Sequence, residues 1–224
     1  GYPAGRVSVI PNACDLDLFD SSPKMGSEFR QRFRALGAGP IVAYAGALGA
    51  LNGVDYLPRV ARASRAIMPD ARFAVAGDGA QLEVVASLAG ELGVLDVNFF
   101  MLGPIPKTDV PALLSASTIA TSLFIDIPAM WKNSANKFFD ALAAGRPVAI
   151  NYEGWQADLL RETGAGIVLP ARDPARAARM LADFLSDPAG VEQAGRAARH
   201  LAETRFSRDL LFEEFERVLL MAAE

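Results

Sequence analysis

With 224 residues, the chain has room for one large α/β domain or for a domain with an appendage. Apolar residues make up 51% of it, enough for a core covered on both faces, and a net charge of -4 excludes a broad nucleic-acid or anionic-membrane footprint while leaving a local basic pocket open. The single Cys14 excludes an internal disulfide and any cysteine-based zinc site and points to a reducing compartment, the single His200 leaves little material for triads or HExxH-type zinc chemistry, and no apolar run is long enough to span a bilayer.

The chain opens Gly1-Tyr2-Pro3 in a turn, without an initiating methionine, and reads as a piece of a longer polypeptide. Residues 7–10 read as a short strand, 11–15 as a turn, 20–27 as a polar loop, and 27–36 as a short basic helix ending at Gly37. A continuous apolar strand over 41–45 closes on Gly46-Ala47-Leu48-Gly49. A helix over 54–68 follows, with Val54, Leu57, Val60, Ala61, Ser64 and Ile67 on one face, and Pro69-Asp70 ends it. The alternation then repeats. Strands are predicted over 72–76, 97–102, 118–122, 148–151 and 166–169, and helices over 81–92, 108–115, 135–144 and 155–161. After Pro170 only helices are predicted, over 174–186, 189–204 and 207–222.

Strands of this apolar type alternating with helices give a parallel sheet covered on both faces, and right-handed crossovers make it doubly wound. Ligands of such sheets sit beyond the carboxyl ends of the strands. The loops 46–53, 77–80, 102–106 and 123–136 all fall there.

Within those loops, Gly46, Gly49 and Gly53 lie between a strand and a helix, where glycines let backbone N–H groups approach a pyrophosphate. A tight turn would use them equally well, and the dinucleotide spacing GxGxxG is absent. Gly77-Asp78-Gly79 reads as turn chemistry, with Asp78 as an alternative hydroxyl acceptor. Lys137 in the first turn of the 135–144 helix suits a diphosphate, or is a solvated surface lysine. Asp140, one turn on, could accept from ribose hydroxyls or pair with Lys137, a pairing worth about 0.2–0.5 kcal/mol on an exposed helix. Trp131 and Lys132 precede this helix, and the tryptophan could stack on a sugar or plug a domain interface. Asp15-Leu16-Asp17 reads as a turn and capping element, and His200 as a surface or interface residue.

The order of motifs resembles the C-terminal, donor-binding domain of retaining GT-B glycosyltransferases of family 4 (group 1), over essentially the whole chain. The resemblance rests on Val9-Ile10-Pro11-Asn12-Ala13-Cys14-Asp15 with Phe19, on Ile41 to Gly46, on Ala74-Val75-Ala76-Gly77-Asp78-Gly79, on Phe100 to Ile105, on Asp140-Ala141-Leu142-Ala143-Ala144-Gly145-Arg146-Pro147-Val148, and on Phe206-Ser207. It implies one Rossmann-like half of a GT-B fold with extra C-terminal helices. Residues 1–37 would be an interdomain strand, turn and short helix, 38–205 the nucleotide-sugar-binding domain, and 206–224 a crossing helix, with the N-terminal acceptor domain outside this chain. It implies that Gly46, Gly49, Asn52 and Lys137 surround the donor diphosphate, that Leu102, Gly103, Pro104 and Ile105 edge the base, and that Lys137 and Asp140 carry the catalytic role, Asp140 taking the place of a ribose-binding glutamate. Trp131, Lys132, Ser134 and Asn136 would line the sugar. The pattern departs from the family at Ala47 and Asn52, where an arginine and a lysine are usual, and at Lys132, where a glutamate is usual. Asn136-Lys137-Phe138-Phe139-Asp140 is instead similar to a subgroup that transfers capsule and lipopolysaccharide sugars, in which the lysine would supply the missing charge.

The activity implied is hexosyl transfer, with retention, from a UDP- or GDP-sugar to a glycan or lipid-linked acceptor in cell-surface polysaccharide synthesis. The nucleotide sugar is a co-substrate, so no cofactor and no metal is expected. The implied location is cytoplasmic, with peripheral contact at the inner face of the membrane as an option, and no nucleic-acid partner. This domain alone is expected to be inactive. A degenerate nucleotide-binding or scaffolding domain and a GT-B sugar-nucleotide epimerase are the alternatives. The exposed face of the last helix, with Leu211, Phe215 and Leu219 as candidates, is expected to be left partly uncovered.

Overall fold

The computed structural model describes residues 7–20 and 22–223. Its elements run α1 (Pro23–Arg32), β1 (Ile41–Ala45), α2 (Tyr56–Ser64), β2 (Arg72–Ala76), α3 (Leu82–Glu91), β3 (Phe99–Gly103), α4 (Val110–Ala116), β4 (Ile119–Ser122), α5 (Asn136–Ala143), β5 (Val148–Ile150), α6 (Trp155–Thr163), β6 (Gly166–Val168), α7 (Pro174–Leu185), α8 (Pro188–Thr204) and α9 (Arg208–Ala223). Single 3-10 turns lie at Arg34–Leu36, Ala50–Asn52, Lys107–Asp109 and Pro128–Lys132. The six strands form one sheet in the order β3-β2-β1-β4-β5-β6. Every pairing in it is parallel. The order reverses between β1 and β4, which is the switch point of a doubly wound sheet.

The alternation of side chains within each strand explains the two layers. Val42 and Tyr44 of β1, Phe73 and Val75 of β2, Ile119 of β4 and Ala149 of β5 turn to one face and pack under α2, α3 and α7. Ile41, Ala43, Ala74 and Ala76 turn to the other, under α1 and α4, and Ala120, Val148 and Ile150 continue that face under α5, α6 and α8. Gly26 in α1 lies so close to α4 that a Cβ there would stand 2.7 Å from the Ser115 carbonyl carbon, so α1 is part of this layer. Helices α7 and α8 start on the same device. Asp173 accepts from Arg176 N at 2.9 Å, Asp187 accepts from Gly190 N at 3.0 Å, and a proline fills the first helical position of each.

Several predicted boundaries move. Residues 7–10 form no strand. Val7 and Val9 are exposed, no sheet edge is offered to them, and the pairing in this stretch is a single parallel bridge between Cys14 and Ser207. Helix α1 begins within the predicted 20–27 loop, because Pro23 suits a first helical turn. Helix α2 stops at Ser64, so Ile67 lies beyond it and is exposed. Strand β3 begins at Phe99, after a turn in which Asp96 adopts φ 56°, and this leaves Val97 on the surface. In α9, Leu211 is buried against the core, whereas Phe215 and Leu219, joined by Phe212 and Leu220, are exposed.

Candidate functional site

The predicted loops do meet at the carboxyl edge, through a ladder of backbone hydrogen bonds. Gly46 N donates to Ala76 O at 3.0 Å, Leu48 N to Asp78 O at 2.8 Å, Gly77 N to Gly103 O at 2.9 Å, and Ile125 N to Leu51 O at 3.0 Å. This closeness is what Gly77 and Gly79 are for. A Cβ on Gly77 would stand 1.8 Å from Gly46 O, and one on Gly79 would stand 2.6 Å from Leu48 O. Asp78 caps its own turn, accepting from Gly79 N at 2.7 Å, which is the turn role rather than the hydroxyl-acceptor one.

Lys137 belongs to this edge and not to a solvated helix face. Phe138, Phe139, Ala141 and Leu142 take the buried side of α5. The lysine stem runs over Gly46, whose Cβ, were there one, would lie 3.1 Å from Lys137 Cε. The ammonium sits 5.6 Å from the centre of the Tyr44 ring and 5.1 Å from that of Phe124. Both distances are within cation–π range. Tyr44 is itself held by its hydroxyl, which donates to Ala47 O at 2.7 Å. No carboxylate pairs with Lys137 among the described residues. Burial pushes its pKa down to about 8, and the charge of Asp140 opposes this.

Asp140 is half-buried one turn along and is not in ion-pair contact with that lysine. Burial pushes its carboxyl up to about 6, Lys107 and Lys137 pull it back, and Asp15 adds to the rise. Lys107 is not marked out by any motif of the sequence. It lies in the 3-10 turn after Leu102–Ile105, and its charge reaches both Asp140 and Asp15.

Other predicted residues are present but differently employed. Asn52 turns its Oδ1 back to accept from Gly49 N at 3.2 Å, closing the 3-10 turn of its own loop. Ser134 and Asn136 are held by Asn12. Its backbone N donates to Ser134 Oγ at 2.9 Å, and its Nδ2 donates to Ser134 O at 2.5 Å and Asn136 Oδ1 at 2.6 Å. Asn12 thus fixes the start of α5, a role the sequence pattern alone does not reveal; the signal available was its place beside Pro11 in the motif over residues 9–15. Asn12 is anchored in turn, because Cys14 N donates to Phe206 O at 2.6 Å, Arg208 N donates to Cys14 O at 3.2 Å, and Asp15 pairs with Arg208. Asp15 also accepts from Leu18 N at 3.1 Å, the turn role predicted for it.

Trp131 is not an exposed platform. It is half-buried against the core, and its carbonyl oxygen comes within 2.4 Å of where a Gly154 Cβ would be. Lys132 beside it is exposed, as is His200. Leu102 and Ile105 are half-buried, Pro104 is exposed, and Gly103 adopts φ 71° to present its carbonyl to Gly77.

A lysine with no carboxylate partner among the described residues, beside glycine loops at the switch point, is an arrangement with the chemistry to hold an anion. The family described as glycosyl transferases group 1 matches residues 27–201. The chain belongs to this family. It is 27% identical over 214 residues to a 2-deoxystreptamine glucosyltransferase of Streptomyces kanamyceticus, covering 93% of this chain and 50% of that protein. It is 26% identical over 206 residues to a GDP-mannose-dependent alpha-(1-6)-phosphatidylinositol monomannoside mannosyltransferase of Mycolicibacterium smegmatis, covering 89% of this chain and 52% of the other. Among solved structures, HepE of Anabaena in complex with UDP-glucose superposes with a TM-score of 0.85 at 19% identity, over 99% of this chain and 59% of that one. The chain therefore spans about half the length of the curated relatives it matches. The group 1 likeness and the six-stranded parallel sheet together make this a Rossmann-like half of a GT-B fold.

Proposed function

We propose that this chain is the donor-binding part of a glycosyltransferase that moves a hexosyl group from a nucleoside-diphosphate sugar to a glycan or lipid-linked acceptor, with retention. The observation that carries this reading is Lys137, a cation without a carboxylate partner among the described residues, laid over Gly46 at the switch point. A diphosphate entering there would complete the charge, with the N–H groups of Asn136 and Lys137 at the start of α5 and that of Ala47 as further donors. HepE was solved with UDP-glucose, which supports a nucleotide sugar as the ligand of this edge. The segment Leu102–Ile105 would edge the base and Asp140 would hold the ribose hydroxyls, with Lys107 tempering its charge.

In the reaction, the bond from the sugar C1 to the phosphate oxygen breaks, and the acceptor oxygen bonds to C1 on the same face. The acceptor proton passes to the leaving diphosphate oxygen, whose charge Lys137 and the helix dipole hold. No metal is required by this scheme. Residues 1–37 and 206–224 would join the domain to the acceptor-binding part, and a capsule- or lipopolysaccharide-type acceptor fits the Asn136-Lys137 motif; the activity would then lie at the inner face of the membrane.

A second reading, a degenerate nucleotide-binding domain, is favoured by Asn52, whose side chain is turned into its own loop. The experiment that separates these two readings and the epimerase is a donor screen by thermal shift on this chain, followed by incubation of the full-length protein with the donor that binds. An acceptor-dependent glycoside establishes transfer, epimerised free donor establishes the epimerase, and no shift with any nucleoside diphosphate at millimolar concentration establishes the degenerate domain.

A further inference from the structure

A cavity of about 660 Å³ opens on the edge of the sheet opposite the donor loops, where Ser117 and Thr118 lead into β4 and Gly145 to Pro147 lead into β5. Helices α1 and α8 form its sides. Four arginines line it, Arg30, Arg146, Arg196 and Arg199, against one carboxylate, Glu192. In a chain of net charge -4 this is a local concentration of positive charge.

The four are not equivalent. Arg196 pairs with Glu192 at 2.5 Å and Arg199 with Glu203 at 2.7 Å, each one turn away along α8. Arg199 also donates to Ala143 O at 2.7 Å, where the end of α5 favours a cation. Arg30 donates to the carbonyls of Gly37, Gly39 and Ala116. Those oxygens take up three of its five N–H donors and leave its charge unneutralised. Arg146 has no such partners. Among the described residues its side chain makes no hydrogen bond or ion pair, and its Nε is closed off from water with no acceptor. Burial pulls the guanidinium of Arg146 down, as it does that of Arg30, yet an arginine keeps its proton at every pH at which a protein folds.

A shielded guanidinium with donors to spare is completed by an oxyanion, whose geometry matches the planar fork of N–H groups. We propose that this cavity binds a small phosphate-type anion, with Arg146 as its direct ligand and Arg196 and Arg199 as flanking donors. The site is separate from the donor edge in position and in residues. The two share only α5, which carries Lys137 in its first turn and Arg146 just past its end. Topology does not foretell it, because open α/β sheets place ligands at the other edge.

The test is calorimetry of inorganic phosphate and pyrophosphate against the unaltered chain and against Arg146→Gln, Arg196→Gln and Lys137→Ala, each first shown to unfold cooperatively. The expected result is a phosphate site that Arg146→Gln weakens at least about tenfold, that exposed Arg196→Gln weakens less, and that Lys137→Ala leaves intact, while any second pyrophosphate site at the donor edge is lost in Lys137→Ala alone. Arg196→Gln alone tests the site should Arg146→Gln fail to fold. Loss of binding in Lys137→Ala with retention in both arginine variants assigns the anion to the donor edge and overturns the proposal, as does the absence of binding by the unaltered chain at millimolar anion. Sedimentation with phosphatidic acid vesicles, against phosphatidylcholine vesicles, names the source. Sedimentation abolished by Arg146→Gln makes the phosphate a lipid headgroup, and calorimetric binding without sedimentation makes it a soluble ligand.

Discussion

Lys137 makes a pH-dependent claim that can be worked from its surroundings. Its pKa lies at about 8, lowered from 10.5 because burial disfavours the charge. In the free protein the ammonium is therefore largely neutral by pH 9, at about one part in eleven protonated. A diphosphate beside it favours the charged form, so binding above pH 8 must take up a proton. UDP affinity should be level below about pH 7 and weaken by about tenfold at pH 9. Replacing the lysine should remove a charge-assisted hydrogen bond worth about 1.5–3 kcal/mol, a loss of roughly ten- to 150-fold at pH 7, and should flatten the profile. Stability moves the opposite way. A folded pKa below the unfolded one means that the unfolded chain binds more protons between pH 8 and 10.5, so stability contributed by this group rises across that window. The assay is calorimetric titration of UDP from pH 6 to 9 in two buffers of different ionisation enthalpy, with uridine as control and Lys137→Ala alongside. A Lys137→Ala profile that overlays that of the unaltered chain, or an affinity unchanged from pH 7 to 9, refutes the reasoning.

Three further outcomes follow from the geometry. Gly77→Ala places a methyl 1.8 Å from Gly46 O at φ 150° and should cost about 3 kcal/mol or more, read as a lowered urea midpoint; an unchanged midpoint would show that the loop gives way freely. Asn12→Ala removes the side-chain bonds to Ser134 O and Asn136 Oδ1, and should weaken UDP about tenfold while leaving uridine unchanged; equal effects on both ligands would assign Asn12 a purely structural role. Cys14 is buried, donates to Phe139 O at 3.3 Å, and has its pKa pushed up to about 12 by burial, so iodoacetamide at pH 8 should label it only as fast as the chain unfolds; rapid labelling of the native protein contradicts that.

The strands and most helices were legible because local and tertiary demands coincide in them. Ile41–Ala45 and residues 73–76 are apolar on both faces and lie in the sheet interior, so pattern and burial say the same thing. Val7 to Ile10 carry the same strand composition, yet a strand requires a partner, and composition says nothing of partners. Leu211 and Phe212 are adjacent apolar residues on one helix, and only the docking of α9 decides that the first is covered. At the site, Lys137 and Gly46 were legible as types in the right loops, whereas their contact is a tertiary fact. Trp131 stayed open between platform and plug because a tryptophan in a loop can be either, and its half-burial against the core is a tertiary fact. Asn12 and Lys107 escaped because each acts across more than a hundred or about thirty residues of chain, respectively, on groups that spacing alone cannot bring together.

The ladder that joins Gly46, Ala76, Leu48, Asp78, Gly77 and Gly103 also limits how this edge can be re-engineered. Because Gly77 and Gly79 face the backbone of the neighbouring loop with no space for a side chain, none of the three loops has a conformation of its own. A chimera that transplants only residues 46–53 from a relative would bring in a loop shaped against a different turn. Donor preference should therefore transfer between members of the family when 46–53, 77–80 and 102–106 are exchanged as one cassette, and fail when they are exchanged singly.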